Sequence, residues 1–182
     1  MIEIEALSGK QQLKAAWQLA DKALSQFPDD LNLLYTRAMI AEKRGDLAQL
    51  ERDLRFIIER EPDNAMAINA LGYTLADRTD RYDEALVLIE QAYQLNPDDA
   101  AILDSLGWVN YRLGNLDEAE AQLRKAYERF PDHEIAAHLG EVLWSSGKQR
   151  AARTVWTEAL KQQPDSEVLQ ETIKRLTGSE KL

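Results

Sequence analysis

Apolar residues recur along the chain at intervals of three and four, in stretches separated by short polar breaks. This interval places them on one face of an α-helix. One pair of stretches has its apolar face at Ile68, Leu71, Leu75, Ala85, Ile89 and Ala92. The pattern predicts a nearly all-helical chain in which amphipathic helices follow one another in pairs.

The prolines divide the chain at regular intervals. They lie 34, 35, 34 and 33 residues apart, at Pro28, Pro62, Pro97, Pro131 and Pro164, and Asp follows each one. Proline ends a helix, and an Asp side chain accepts hydrogen bonds from the free N–H groups that open the next one. We therefore expect a repeated structural unit, with helix caps at Asp29, Asp63, Asp98, Asp132 and Asp165.

Small residues occupy constant places within these units. Glycine stands at the centre of three predicted first helices, at Gly72, Gly107 and Gly140, and alanine stands early in the following helices. Two helices pack closely only where their crossing point carries little side chain, so we expect Ala119 to face Gly107. Gly114 and Gly147 fall between the helices of a pair, where positive φ is favoured.

Three units depart from the pattern, and in the second the small positions become Leu50 and Ile57. The third has one extra residue in the turn at 77–80, and the first is cut short, leaving only 2–7 for its first helix before a second helix at 13–26. The short first unit predicts that the chain is part of a longer repeat protein. At the other end, apolar residues at helical spacing within 166–177 predict a capping helix.

These positions together resemble the tetratricopeptide repeat family, whose signature contains a Leu-Gly pair in the first helix, Ala in the second and a closing Pro. The resemblance covers nearly the whole chain. It implies an all-α fold, a right-handed α-solenoid of tandem helix–turn–helix repeats. The implied boundaries are a partial repeat at 1–28, repeats at 29–62, 63–97, 98–131 and 132–164, and a capping helix at 165–182.

Composition excludes several classes of function. Acidic residues outnumber basic ones by 32 to 22 and the net charge is −10, which argues against nucleic acid as a partner. Cysteine is absent, so thiolate metal sites and Cys nucleophiles are excluded. No stretch approaches the roughly 18 uninterrupted apolar residues of a membrane helix. The start of the chain carries Glu3 and Glu5 where a signal peptide would be basic. We expect a fragment that is itself soluble.

Candidate chemistry is sparse. His138 has Glu134 four residues before it and Glu141 three after, but a metal site needs more ligands at tighter geometry. No Gly-rich phosphate loop is present, and Ser105 and Ser145 have no base beside them in the sequence. The sequence therefore predicts a non-enzymatic protein without metal or cofactor.

The resemblance to tetratricopeptide repeats implies a binding groove lined by the first helix of each unit. Aromatic or Met side chains fall at its positions in every unit, with amide and acidic neighbours suited to a peptide backbone or a basic side chain. The expected groove residues are Tyr35, Met39, Asn69, Tyr73, Asp104, Trp108, Tyr111, Arg112, His138, Glu141 and Trp144. The Lys, Asn and Arg clamp of chaperone-binding members is missing, which disfavours a cochaperone role.

A narrower resemblance comes from three segments, at 69–79, 101–112 and 135–144. They look like the C-terminal part of a proteobacterial outer-membrane lipoprotein family built of these repeats. The resemblance implies an adaptor that binds and activates a periplasmic carboxyl-terminal processing protease and brings it cell-wall hydrolases as substrates. It also implies a lipid anchor upstream of Met1. The alternatives are a generic peptide-binding module of another assembly pathway and the docking module of a larger enzyme.

Overall fold

The computed structural model describes residues 2–179, and within them it contains eleven α-helices and no strand. The helices are α1 (Ile2–Gly9), α2 (Leu13–Gln26), α3 (Leu31–Lys43), α4 (Leu47–Arg60), α5 (Ala65–Arg78), α6 (Tyr82–Leu95), α7 (Ala100–Leu113), α8 (Leu116–Arg129), α9 (His133–Ser145), α10 (Gln149–Gln162) and α11 (Glu167–Thr177). The all-helical prediction is confirmed, as are the short first helix, the complete second helix and the helix near the C-terminal end. No helix in the described residues is long and apolar enough to cross a membrane.

The chain forms two compact units, which are described separately. The N-terminal unit comprises α1 to α4 and the part of α5 up to Leu71, and the C-terminal unit begins at Gly72. In the N-terminal unit α2 packs on α3 and α3 on α4. In the C-terminal unit each helix from α6 to α10 packs on the next, and α11 covers α9. Helix pairs stacked in this way are the architecture of repeat proteins.

Most caps lie one residue later than the sequence predicted. Asp30 accepts from the N–H groups of Asn32 and Leu33 at the start of α3, and Asp99 does the same for α7. Asn64 and Ser166 likewise cap α5 and α11, whereas Asp132, which directly follows Pro131, caps α9 itself. The prediction was wrong for the other four aspartates because the residue after proline is still in the turn. The residue that follows it has the extended backbone of an N-cap.

The turns between paired helices follow the sequence closely. Gly114 has φ +86° and Gly147 has φ +78°, as expected at a helix end. Residues with a side chain adopt this left-handed backbone conformation only with strain. The turn after α5 has no glycine and spans residues 79–81, which makes it as long as the turns after α3 and α9, so the extra residue predicted for this turn does not lengthen it. There the Thr79 hydroxyl donates to the Leu75 carbonyl at 2.6 Å and accepts from the Arg81 N–H at 3.1 Å.

Close helix crossings explain the small residues. A Cβ at Gly140 would overlap the indole of Trp156, which is fully buried in the core of the C-terminal unit. A Cβ at Gly107 would lie 2.5 Å from Leu123 Cγ and 3.1 Å from the Ala119 carbonyl oxygen. The predicted contact of Gly107 with Ala119 is thus made through the Ala119 backbone. The side chain that closes on Gly107 is Leu123.

Candidate functional site: the His138 cluster

Three first-helix segments of the C-terminal unit bring their side chains together around His138. The imidazole of His138, on α9, stacks on the indole of Trp108, on α7, with centroids 4.2 Å apart and planes inclined by 25°. Tyr73, at the end of α5, lies 6.0 Å from the same imidazole, and Tyr111 lies 5.2 Å from Trp108. We call Tyr73, Asp104, Trp108, Tyr111, His138 and Glu141 the His138 cluster.

An acidic side chain holds the imidazole in place. Nδ1 of His138 lies 2.9 Å from Oδ1 and 3.0 Å from Oδ2 of Asp104, and 12% of each side chain remains exposed. Burial by itself lowers the pKa of His138. The charge and hydrogen bond of Asp104, with the charges of Asp77 and Glu141, outweigh burial and raise the pKa above its ordinary value. Three carboxylates, those of Asp104, Asp77 and Glu141, therefore favour the protonated form of His138.

A second charge pair lies at the α11 side of the cluster. Arg175 donates to both carboxylate oxygens of Glu141, at 3.0 and 2.5 Å. The Tyr111 hydroxyl donates to Glu141 at 3.3 Å and lies 3.0 Å from the Ser145 hydroxyl. The pKa of Tyr111 is raised, mainly because the hydroxyl is buried. The negative charge of Glu141 raises it further. Glu141 is thus held in place by groups from two neighbouring helices.

Arg112 contacts the α5–α6 connection. Its Nη2 donates to the Tyr82 hydroxyl at 2.6 Å, its Nη1 to the Asp77 carbonyl at 3.3 Å, and its guanidinium lies 4.9 Å from the Tyr82 ring centroid. Cation–π contacts of this kind add modestly to stability. Arg112 therefore connects first helices of successive repeats.

The structure corrects the expectation for Trp108, whose ring was expected in the groove but is buried, whereas the other aromatic residues expected there are half-buried. Trp108 is 6% exposed, and Asp104 and Glu141 are similarly buried. Trp144 faces α10, where it lies 5.8 Å from Trp156 and beneath the guanidinium of Arg153. Trp108, Asp104 and Glu141 are buried because side chains of the adjacent repeats stack on them or bond to them. The sequence of a single helix does not reveal these contacts.

The remaining expected groove residues belong to the N-terminal unit. Tyr35 and Met39 are half-buried on α3, and burial followed by the charge of Glu42 raises the pKa of Tyr35. Asn69 is half-buried on α5, and its buried Oδ1 has no hydrogen-bond partner. The structure thus divides the eleven expected residues between two units, and it brings six of the eight in the C-terminal unit together in the cluster.

Sequence reasoning missed the ion pairs inside both units. In the N-terminal unit Arg37 donates to both carboxylate oxygens of Asp53 at 2.8 Å. The later repeats have Leu at the position of Arg37. In the C-terminal unit Asp104 and His138 are 34 residues apart, as are Glu141 and Arg175. A search for opposite charges one repeat period apart would have found the last two pairs.

A cavity of about 350 Å³ opens beside the cluster. Asp104 reaches it from α7, Glu134 from α9, and Phe130, 60% exposed, from the connection between α8 and α9. Asp132 and His133 line it as well. An exposed aromatic ring next to carboxylates suits the stem and charge of a basic side chain.

The described residues contain no group of His, Asp or Glu side chains arranged to hold a metal ion. His138 Nδ1 is engaged by Asp104, and His133 Nδ1 lies 2.8 Å from the Ser166 hydroxyl. Stacked helix pairs with an ordered polar cluster on their first helices define a repeat scaffold, a class whose members bind other proteins.

Comparison with known proteins gives the family. Residues 63–132 match the model of the tetratricopeptide repeat family. A TPR repeat-containing protein of Pseudomonas aeruginosa is 66% identical over 180 residues, which is 99% of this chain and 30% of that protein. The chain is a tetratricopeptide-repeat protein, and such repeats are scaffolds for protein–protein interaction.

Solved structures show the same fold. A thermophilic TPR protein of Thermus thermophilus superimposes with a TM-score of 0.85 at 25% identity, over 98% of this chain and 97% of that one. YrrB, a TPR protein with an unusual peptide-binding site, superimposes with a TM-score of 0.61 at 21% identity, over 94% and 88%.

Proposed function

We propose that the chain is the C-terminal repeat region of a lipoprotein adaptor. In this proposal it binds a periplasmic carboxyl-terminal processing protease and presents cell-wall hydrolases to it. A lipid anchor upstream of Met1 would hold it at the periplasmic face of the outer membrane. The relative from Pseudomonas aeruginosa is longer, since the chain spans 30% of it, which leaves room for an anchored N-terminal region in a protein of this kind.

One observation carries the proposal. The three segments that resemble the lipoprotein family form the end of α5 with its turn, most of α7 and most of α9. These helices hold the His138 cluster, and α7 and α9 line the cavity beside it. The segments with the most specific resemblance therefore build the His138 cluster and two walls of the cavity beside it.

The exposed ring at the cavity is the natural contact for a partner. Phe130 is 60% exposed, and an exposed aromatic ring beside carboxylates suits a binding hot spot. A basic residue of the partner would place its apolar stem on this ring and its charge near Glu134. Binding would then bury the ring without disturbing the cluster behind it.

The test is titration of the chain with the processing protease of the same bacterium. Phe130→Ala should weaken the affinity about tenfold or more, as loss of an interface aromatic usually does. Phe27→Ala is the matched control, because Phe27 also precedes a proline and is 61% exposed, but lies in the N-terminal unit.

The alternatives give different results. A generic peptide-binding module would ignore the protease and bind basic peptides with the same sensitivity to Phe130→Ala. The docking module of a larger enzyme would bind neither. Equal weakening by the two Phe variants would exclude the cavity as the contact surface.

A further inference from the structure

His138 occupies an unusual place for a titratable side chain. Its imidazole is sandwiched within the C-terminal unit, with Trp108 stacked on it at 4.2 Å, Tyr73 at 6.0 Å and both oxygens of Asp104 within 3.0 Å of Nδ1. The contacts come from α5 and α7, whereas His138 is on α9. One side chain thus connects the first helices of three successive repeats.

The titratable and charged groups around His138 lie on α5, α7, α9 and α11, and three of them, Asp77, Asp104 and Glu141, are acidic. Asp77 and Tyr73 are on α5, and Asp104, Tyr111 and Arg112 are on α7. Glu141 is on α9 and is paired with Arg175 of α11. Arg112 is engaged with Tyr82 and with the Asp77 carbonyl. The carboxylate in direct contact with the imidazole is that of Asp104.

We propose that His138 is a protonation-controlled latch, whose imidazolium, held by Asp104 and stacked on Trp108, fastens the first helices of the C-terminal unit together. When the imidazole loses its proton, it no longer forms an ion pair with Asp104. The carboxylate of Asp104, a residue that is only 8% exposed, then has a neutral imidazole as its partner. A buried carboxylate without a cationic partner is unfavourable, so this face of the unit loosens.

The direction of the pH effect follows from proton linkage. The carboxylates outweigh burial and raise the pKa of His138 in the folded chain above its unfolded value. The latch is therefore fully engaged below the unfolded pKa of about 6.5. Its contribution is lost as the pH rises through the folded pKa. Between these two values the folding equilibrium constant should fall about tenfold per pH unit.

The first experiment is an NMR titration of the two histidines between pH 5 and pH 9. The chain has only His133 and His138, and the single variants His133→Gln and His138→Gln assign the resonances. The His138 midpoint should lie above about 6.5 and should fall in Asp104→Asn. A wild-type midpoint at or below that value overturns the proposal, even if His138→Gln does not fold.

The second experiment measures urea unfolding by tryptophan fluorescence over pH 6 to 9. Three of the four tryptophans lie in the C-terminal unit, so the signal reports mainly on that unit. The wild type should lose stability as the pH rises, and His138→Gln should remove most of that loss.

His133→Gln is the matched control, because His133 contacts the uncharged Ser166 hydroxyl and should leave the pH dependence unchanged. The pKa values of Tyr35, Tyr111 and Tyr127 are raised above the ordinary value near 10, so these three tyrosines stay neutral over this range. If His138→Gln keeps the wild-type slope, or His133→Gln removes it, the latch does not exist. Neither readout uses a partner protein, so the result stands apart from the protease proposal.

Discussion

At the scale of single residues, the N-terminal unit depends on one buried ion pair. Asp53 is 3% exposed and accepts from Arg37 through two bonds of 2.8 Å and from Gln49 Nε2 at 2.8 Å. Asp53→Ala should lower the free energy of unfolding by about 3–5 kcal/mol, because it leaves a largely buried guanidinium without its main partner. Chemical denaturation measures this loss.

The same arginine supplies its own control. Arg37 also donates to Asp21, whose side chain is 63% exposed, at 3.1 Å. Asp21→Ala should cost less than about 1 kcal/mol because solvent screens that pair. Replacing Arg37 and Asp53 together by Leu should recover most of the stability. A double variant as unstable as Asp53→Ala would show that packing, and not charge, decides this site.

Trp108 was expected to line the groove, and its burial gives it a role in stability instead. Trp108→Ala should cost about 3–5 kcal/mol, as the removal of a buried aromatic does. Urea unfolding tests this, with Met66→Ala as the control. Met66 is 57% exposed, and its loss should change stability by less than about 0.5 kcal/mol. A neutral Trp108→Ala would return the ring to the open groove.

At the scale of helix pairs, the crossing of α9 and α10 leaves no room for a side chain at Gly140. A Cβ there would overlap Trp156 Nε1 and Cε2, so Gly140→Ala should cost about 1–3 kcal/mol or more, despite the better helix propensity of Ala. The measurement is the shift of the urea midpoint.

Two variants isolate the crossing as the cause. Gly9→Ala is the control, since α1 has open space around Gly9 and no cost is expected there. Adding Trp156→Phe to Gly140→Ala should reduce the penalty, because the smaller ring removes the overlapping atoms and the two sites are in contact. Strict additivity of the two changes would place the strain elsewhere.

At the scale of the whole molecule, we expect the stability of the fold to be independent of added metal ions. The described residues hold no suitable ligand group, and Nδ1 of each histidine already has a partner. Zinc or a chelator should leave the melting temperature within about 1 °C, because only a ligand that prefers the folded state shifts it. A rise of many degrees with zinc would reveal a site that the two histidines and their acidic neighbours build together.

The sequence by itself determined the repeat. Proline spacing, Gly72, Gly107 and Gly140 at the crossings and Gly114 at a turn are local requirements of helix ends and close packing. The sequence alone shows such a local requirement, because each repeat must satisfy it within its own residues. The number, order and approximate bounds of the helices followed from this.

Only the tertiary structure decided which polar and aromatic side chains meet. Asp104 and His138 are a repeat apart, and each one alone has the appearance of a solvated groove residue. Their pairing depends on the stacking of α9 against α7, which brings charges together and excludes water. The burial of Trp108 and the raised pKa of His138 are consequences of that stacking, because both depend on neighbours supplied by another repeat.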